Sequence, residues 1–237
     1  GDLTDRGCGV LATTSISVPT GTITLSLTGT ENDGLYQAGS PNNSFNDLDI
    51  LASATVTITG QSAATTIIQA GTIADNGTGG VGNGIDRVFD VAGNLVLENV
   101  TVQNGLVSSD NLGQGLGGGI FVRRGVLTLN DSIITGNTAL DDSTTAANYD
   151  GFGGGIANGS GTVQLNNTNL TNNFAETGGG AVSTFAAASF GQAAAFHING
   201  GTFSGNQARE GAAIQEFSYN ATGGIDGVLS LDGVTIS

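Results

Sequence analysis

The sequence has no lysine, no methionine and no tryptophan, and its 237 residues hold one cysteine, one histidine and two prolines. Each scarcity excludes something. The five basic residues are all arginines, set against 20 acidic ones, for a formal net charge of −15. A chain this anionic repels phosphate backbones and anionic lipid headgroups, so nucleic acid is set aside as a partner. Cys8 stands alone, so no disulfide can form within the chain. Two prolines are too few for a proline-rich stalk. No apolar run approaches the length of a membrane span, so no membrane insertion is expected of this segment.

What is present is a short phrase written repeatedly. Apolar beats fall at Leu97, Leu129, Leu165, Ile198 and Leu231, with spacings of 32, 36, 33 and 33. Two residues earlier come Leu95, Leu127, Val163, Phe196 and Leu229. Five residues later come Val102, Ile134, Leu170, Phe203 and Ile236. Apolar residues alternating with Thr, Asn or Ser read as strands with one buried face. A fixed period of this size predicts an all-β stack in which each unit buries its apolar face against its neighbours. Strands of one unit then pair in parallel with the next, about 33 residues apart, with three strands and three corners per turn.

The corners carry their own signatures. Glu98-Asn99, Asn130-Asp131, Asn166-Asn167, Asn199-Gly200 and Asp232-Gly233 suit a left-handed backbone. At the next corner Asn137, Asn173 and Asn206 recur in step, followed by Ala139, Ala175 and Ala208. Stacked asparagines exchange amide hydrogen bonds along the axis. A glycine-rich third strand follows, at 117–120, 153–156, 178–182 and 211–214, read as close backbone approach. Segments 106–116 and 140–152 leave at one corner as insertions. Segments 185–195, with Phe185 and Phe190, and 215–227 leave after the glycine-rich strand.

Residues 1–50 are read as an atypical first unit or cap and 51–237 as regular units of the same domain. Strand-like stretches there are Thr22 to Leu27 and Thr55 to Ile58, about 33 apart, with 47–50, 66–68 and 87–91. The polar stretch 29–46 reads as a loop or cap. The last residues stop within the repeated strand pair. The expected partner is therefore a larger parent polypeptide or a neighbouring subunit added head to tail.

Candidate chemistry rests on carboxylates. Asp47 and Asp49 project to one side of a strand, and Asp86, Arg87 and Asp90 form a second group that does not align with the first. Asp141, Asp142 and Asp150 sit in the 140–152 insertion, and Glu31, Asn32 and Asp33 in the polar stretch. Carboxylates with loop carbonyls suit calcium, the one ion this sequence provides for; no cofactor is required. The stretch 79–84 matches a glycine-rich calcium nonapeptide once, with its Asp displaced. The outward row Val96, Thr128, Gln164, His197 and Ser230 has no carboxylate, which counts against a lyase groove there. Arg123-Arg124 balances nearby acids or grips a carboxylate or sulfated sugar. Asn-X-Ser/Thr sequons start at Asn76, Asn99, Asn158, Asn166 and Asn220.

The pattern resembles bacterial right-handed parallel β-helix proteins of the pectin-lyase-like superfamily. Phe203-Ser204-Gly205-Asn206 followed by Gly211-Ala212-Ala213-Ile214 is similar to the FxxN and GGA repeats of polymorphic outer-membrane proteins. Asp47 to Ile50, Thr57 to Gly60, Thr66 to Ile68 and Asp86 to Phe89 resemble the N-terminal coils of secreted bacterial repeat proteins with a CSLREA-type domain. The resemblance implies a right-handed β-helix in a secreted, cell-surface setting. The expected role is a structural or adhesive fibre segment, with cell-surface glycans as possible ligands. The alternative is a carbohydrate-binding or polysaccharide-cleaving β-helix using the loops 140–152 and 185–195.

Overall fold

Leu127-Thr128-Leu129 shows how the alternation becomes structure: both leucines are fully buried and the threonine between them is half-exposed. The computed structural model describes residues 13–25, 47–71, 87–107, 115–141, 151–187, 194–219 and 227–237, with backbone alone at 185–187 and 217–219. The described residues are all-β, without helix, and every strand pairing is parallel.

The strands fall into four sheets. The first holds Thr13–Val18, Thr55–Gly60, Asn94–Glu98, Val126–Asn130, Thr162–Asn166, Ala195–Asn199 and Val228–Asp232. The second holds Gly21–Leu25, Thr66–Ala70, Thr101–Gln103, Ile133–Thr135, Asn169–Thr171, Thr202–Ser204 and Thr235–Ile236. A short third sheet is built from Leu106–Val107, Thr138–Ala139, Phe174–Gly178 and Gln207–Glu210. The fourth holds Leu48–Ile50, Phe89–Val91, Ile120–Val122, Ile156–Asn158, Val182–Ala187 and Ile214–Tyr219. In its middle repeats the chain visits these sheets in the same order each time.

Register is kept along the stack except between Ala175 and Gly178, where the pairing of Phe174–Gly178 with Gln207–Glu210 shifts. Ile16, Ile58, Leu97, Leu129, Leu165, Ile198 and Leu231 lie one above another in the first sheet. In the second, Ile23, Ile68, Val102, Ile134, Leu170, Phe203 and Ile236 do the same. In the fourth, Phe89, Ile120, Ile156 and Val182 form a third column. The three columns meet in one core. Burying a side chain of this size stabilises by about 1.5–3 kcal/mol, so the core dominates cohesion. The corners hold the left-handed backbone their residues suit: φ is 55° at Asn99, 48° at Asp131, 48° at Asn167 and 72° at Gly200.

Several expectations need correction. Each middle repeat has four strands, not three. The extra pieces at 106–107 and 138–139 are two residues long, too short to display an alternating pattern. Thr22 to Leu27 and Thr55 to Ile58 are not equivalents: Gly21–Leu25 pairs with Thr66–Ala70, while Thr55–Gly60 pairs with Thr13–Val18. Thr13–Val18 escaped notice because its partner lies further along the chain than the later period, and its outward positions are Thr and Ser. The first residues of two expected insertions are strand, because Val182–Ala187 and Ile214–Tyr219 pair in register. The polar stretch 29–46 lies outside the described residues.

The glycine runs precede the fourth-sheet strands and do not form them. A Cβ on Gly118 would press against the backbone of Thr138, one on Gly154 against Phe174, and one on Gly180 against Ala212 and Gln207. Backbone held in a ladder cannot step aside. Gly118→Ala is therefore expected to destabilise by about 1–3 kcal/mol, read as a lowered urea midpoint; an unchanged midpoint contradicts the close approach.

Candidate functional site

The strongest concentration of charge sits on the outer face of the fourth sheet. Its strands near the start of the stack are three residues long, so flanking core residues leave the middle one facing outward. Phe89 and Val91 point into the core, as do Ile120 and Val122. The outward column is thus Asp49, Asp90 and Phe121, in register. It is not solvated: Asp90 is 1% exposed and Phe121 0%.

Charge this deep is stable only when paired. Arg123 donates from Nε to Oδ1 of Asp90 at 2.7 Å and from Nη2 to Oδ2 at 2.6 Å. Arg87 donates from Nη1 to the same Oδ2 at 3.0 Å, and that nitrogen lies 3.6 Å from Asp47 Oδ2. The guanidinium carbons stand 5.6 Å (Arg87) and 5.0 Å (Arg123) from the Phe121 ring centroid, placing cations against an aromatic π system. Ligand oxygens of Asp47, Asp49 and Asp90 all lie within 4.8 Å of one another. Three carboxylates and two guanidinium groups leave a formal charge of −1. The cluster ties together three successive repeats: Asp47 and Asp49 in one, Arg87 and Asp90 in the next, Phe121 and Arg123 in the third.

The sequence left Asp47/Asp49 and Arg87/Asp90 as separate groups that did not align; Asp49 and Asp90 are in fact register partners. Phe121 and the Asp90–Arg123 pair were not anticipated. A partial signal was present: Arg123 lies two residues past Phe121, the register partner of Asp90, so it reaches back to Asp90 from the repeat above. As a cation site the donor set is compromised. Calcium takes roughly six to eight oxygen ligands, and both Asp90 oxygens already accept from guanidinium.

Among the described residues, the other calcium candidate, Asp141, is not part of this cluster. Asp141 is half-buried, and its N–H donates to Glu176 Oε2 at 2.9 Å. Asp142 and Asp150 lie outside the described residues, as do Cys8, the 31–33 and 79–84 stretches, Asp86, Phe190, and the sequons at Asn76 and Asn220. Arg124 and His197 are exposed. Asn158 is fully buried, with its amide bonded to Gly161 and Ala195 carbonyls, which removes it as a glycan acceptor.

The asparagine column forms as the sequence implies. Asn137 donates from its N–H at 3.1 Å and from Nδ2 at 3.0 Å to Asn173 Oδ1. Asn173 donates the same pair to Asn206 Oδ1, both at 3.0 Å. Each Nδ2 also reaches back to a core-strand carbonyl: Val102 at 3.3 Å, Ile134 at 3.0 Å and Leu170 at 2.8 Å. The ladder starts at Gly105, whose N–H donates to Asn137 Oδ1 at 3.0 Å. A second polar column runs outside the corner, from Thr59 to Glu98 and on through Asn130 to Asn166. Ala139 and Ala175 are buried and stacked, with Ala208 above them.

No family model, curated protein or solved structure matches the chain. No helix among the described residues is long and apolar enough to cross a membrane.

Proposed function

We propose that the four sheets are the sides of a right-handed parallel β-helix, and that this helix is a structural or adhesive segment of a secreted, surface-exposed rod. One observation carries the reading: like residues stack on like through successive repeats, and their polar groups bond along the stack. The Asn137–Asn173–Asn206 ladder is the clearest instance. Side chains committed to one another in this way stiffen a column and leave little free to attack a substrate. Among the described residues, the one cluster of three convergent carboxylates has Asp90 buried and Asp47 and Asp49 half-buried, and two arginines offset two of its three charges. That weighs against a polysaccharide-cleaving site on this sheet.

The role asks for no cofactor. It places glycans, if they are ligands, on the exposed polar row around Gln164 and His197. Head-to-tail copies or a longer parent polypeptide would extend the same axis. Negative-stain electron microscopy of native material tests the proposal. Rods or filaments with the roughly 4.8 Å axial repeat of stacked strands in diffraction are expected. Discrete globular particles that release sugar products from an acidic polysaccharide would overturn it.

A further inference from the structure

An asparagine followed by glycine is chemically labile, because glycine leaves its backbone nitrogen unshielded beside the side-chain amide carbon. Three such steps fall among the described residues: Asn104-Gly105, Asn158-Gly159 and Asn199-Gly200. The fold treats them differently. Asn158 is fully buried; its Nδ2 donates to the carbonyls of Gly161 and Ala195, and its Oδ1 accepts from the N–H of Gly161. The N–H of Gly159 donates to the Val122 carbonyl at 2.8 Å. Asn104 is half-buried and donates from Nδ2 to Gln69 Oε1 at 3.1 Å, while the N–H of buried Gly105 donates to Asn137 Oδ1 at 3.0 Å. Asn199 is exposed, and among the described residues no hydrogen bond reaches its side-chain amide. It is the register partner of Asn166, but the outer polar column that joins Asn166 to Asn130 does not extend to it. The N–H of Gly200 has one tie, to the Asp232 carbonyl at 2.7 Å. Gly200 and Gly201 follow with φ of 72° and 91°, and beyond its chain neighbours nothing lies closer than 3.7 Å to where a Gly200 Cβ would stand. The corner therefore has the room and the backbone freedom to bring the Gly200 nitrogen onto Asn199 Cγ.

We propose that Asn199 is a site of spontaneous covalent modification, deamidating in the folded protein to aspartate and isoaspartate ahead of Asn104 and Asn158. The Gly200 backbone nitrogen passes its proton to hydroxide and attacks Asn199 Cγ. The N–Cγ bond forms, the Cγ–Nδ2 bond breaks, and ammonia leaves with a proton from water, closing a succinimide ring. Water then opens either ring carbonyl. One product is aspartate; the other is isoaspartate, whose main chain runs through Cβ and Cγ. Nothing is oxidised or reduced. Either product adds a carboxylate at residue 199, the register partner of Asp232. Like charges placed opposite each other on neighbouring strands weaken the pairing, and the isoaspartyl product also lengthens the main chain at the strand end. The site does not depend on the structural role proposed above.

The test holds the folded chain in mildly alkaline buffer, withdraws samples over weeks, and then denatures and cleaves them after arginine. Cleavage places Asn104 in peptide 88–123 and Asn158 and Asn199 in peptide 125–209. Mass spectrometry reads the gain from replacing an amide nitrogen by oxygen, fragment ions assign it to a residue, and electron-transfer fragmentation tells isoaspartate from aspartate. Each hydrogen bond that must open slows the step about fivefold. Asn104, with one side-chain bond, is therefore expected to convert about fivefold more slowly than Asn199, and Asn158, with three, about a hundredfold more slowly. In urea the three steps are the same dipeptide and should convert at similar rates. Asn199→Gln, which keeps the amide but moves its carbon out of reach of an easy ring closure, is expected to remove the first conversion from the 125–209 peptide. The proposal is overturned if Asn104 or Asn158 converts as fast as Asn199 in the folded chain. It is overturned equally if Asn199 stays intact while the unfolded chain converts, or if the same ranking persists in urea, where the fold cannot impose it.

Discussion

Asp90→Ala is expected to destabilise the protein by about 3–5 kcal/mol, the loss found when one partner of a buried ion pair is removed. The reason is what remains. Arg87 and Arg123, 6% and 8% exposed, keep their charges and lose the carboxylate that both guanidinium groups bond. A guanidinium cannot shed its proton to escape burial, so the side chains must swing out or the strands must part. Leu48–Ile50, Phe89–Val91 and Ile120–Val122 are three residues each and have little else to hold register. Hydrogen exchange should therefore rise first in these strands, with a lowered urea midpoint for the whole chain. Replacing Asp47, Arg87, Asp90 and Arg123 together by apolar residues of similar volume should recover much of the loss, because the buried ion pairs are then removed with both partners. A single Asp90→Ala loss under about 1 kcal/mol, the range of solvated surface pairs, would show that the cluster is not the buried clasp described here.

Asn173→Ala is expected to be of similar size and to act at a different corner. The substitution removes the acceptor for Asn137 N–H and Nδ2 and the donor to the Ile134 carbonyl. Asn137 is fully buried, so water cannot replace those bonds without opening the corner. Asn137 Nδ2 keeps its bond to the Val102 carbonyl, so two groups lose their partner, and at about 1–3 kcal/mol each the loss is roughly 2–6 kcal/mol. Asn206→Ala removes the matching three bonds but should cost less, since Asn206 is half-buried and water can reach the groups it leaves. Chemical denaturation of the two variants side by side gives the comparison. Equal losses would mean that the ladder acts as separate caps and not as a column. A stack of repeats need not melt in one step, so exchange at individual amides is the firmer readout.

Both clusters are bonded internally. The asparagines are surrounded by backbone and by one another, and the aspartates by arginine and phenylalanine. Both arrangements satisfy polar groups that would otherwise be orphaned at the edges of a narrow apolar core. This bonding fits the structural role proposed above. It is consistent with a chain that bears a net charge of −15 yet buries two of its five arginines among carboxylates.

What the sequence determined by itself is whatever every repeat restates. The columns through Leu129 and Leu165, the left-handed corners at Asp131 and Asn167, and the Asn137–Asn173–Asn206 ladder each depend on one local phrase copied at a near-constant period. A parallel, in-register stack turns equal spacing into vertical contact. What only the tertiary structure decided are the features that occur once. Asp49 meets Asp90, Arg123 reaches back to it across Phe121, and Thr13–Val18 pairs with Thr55–Gly60, all where the spacing departs from the later period. With a period-two side-chain pattern, a slip of one residue turns each of these side chains to the opposite face, so composition alone could not say which charges would meet.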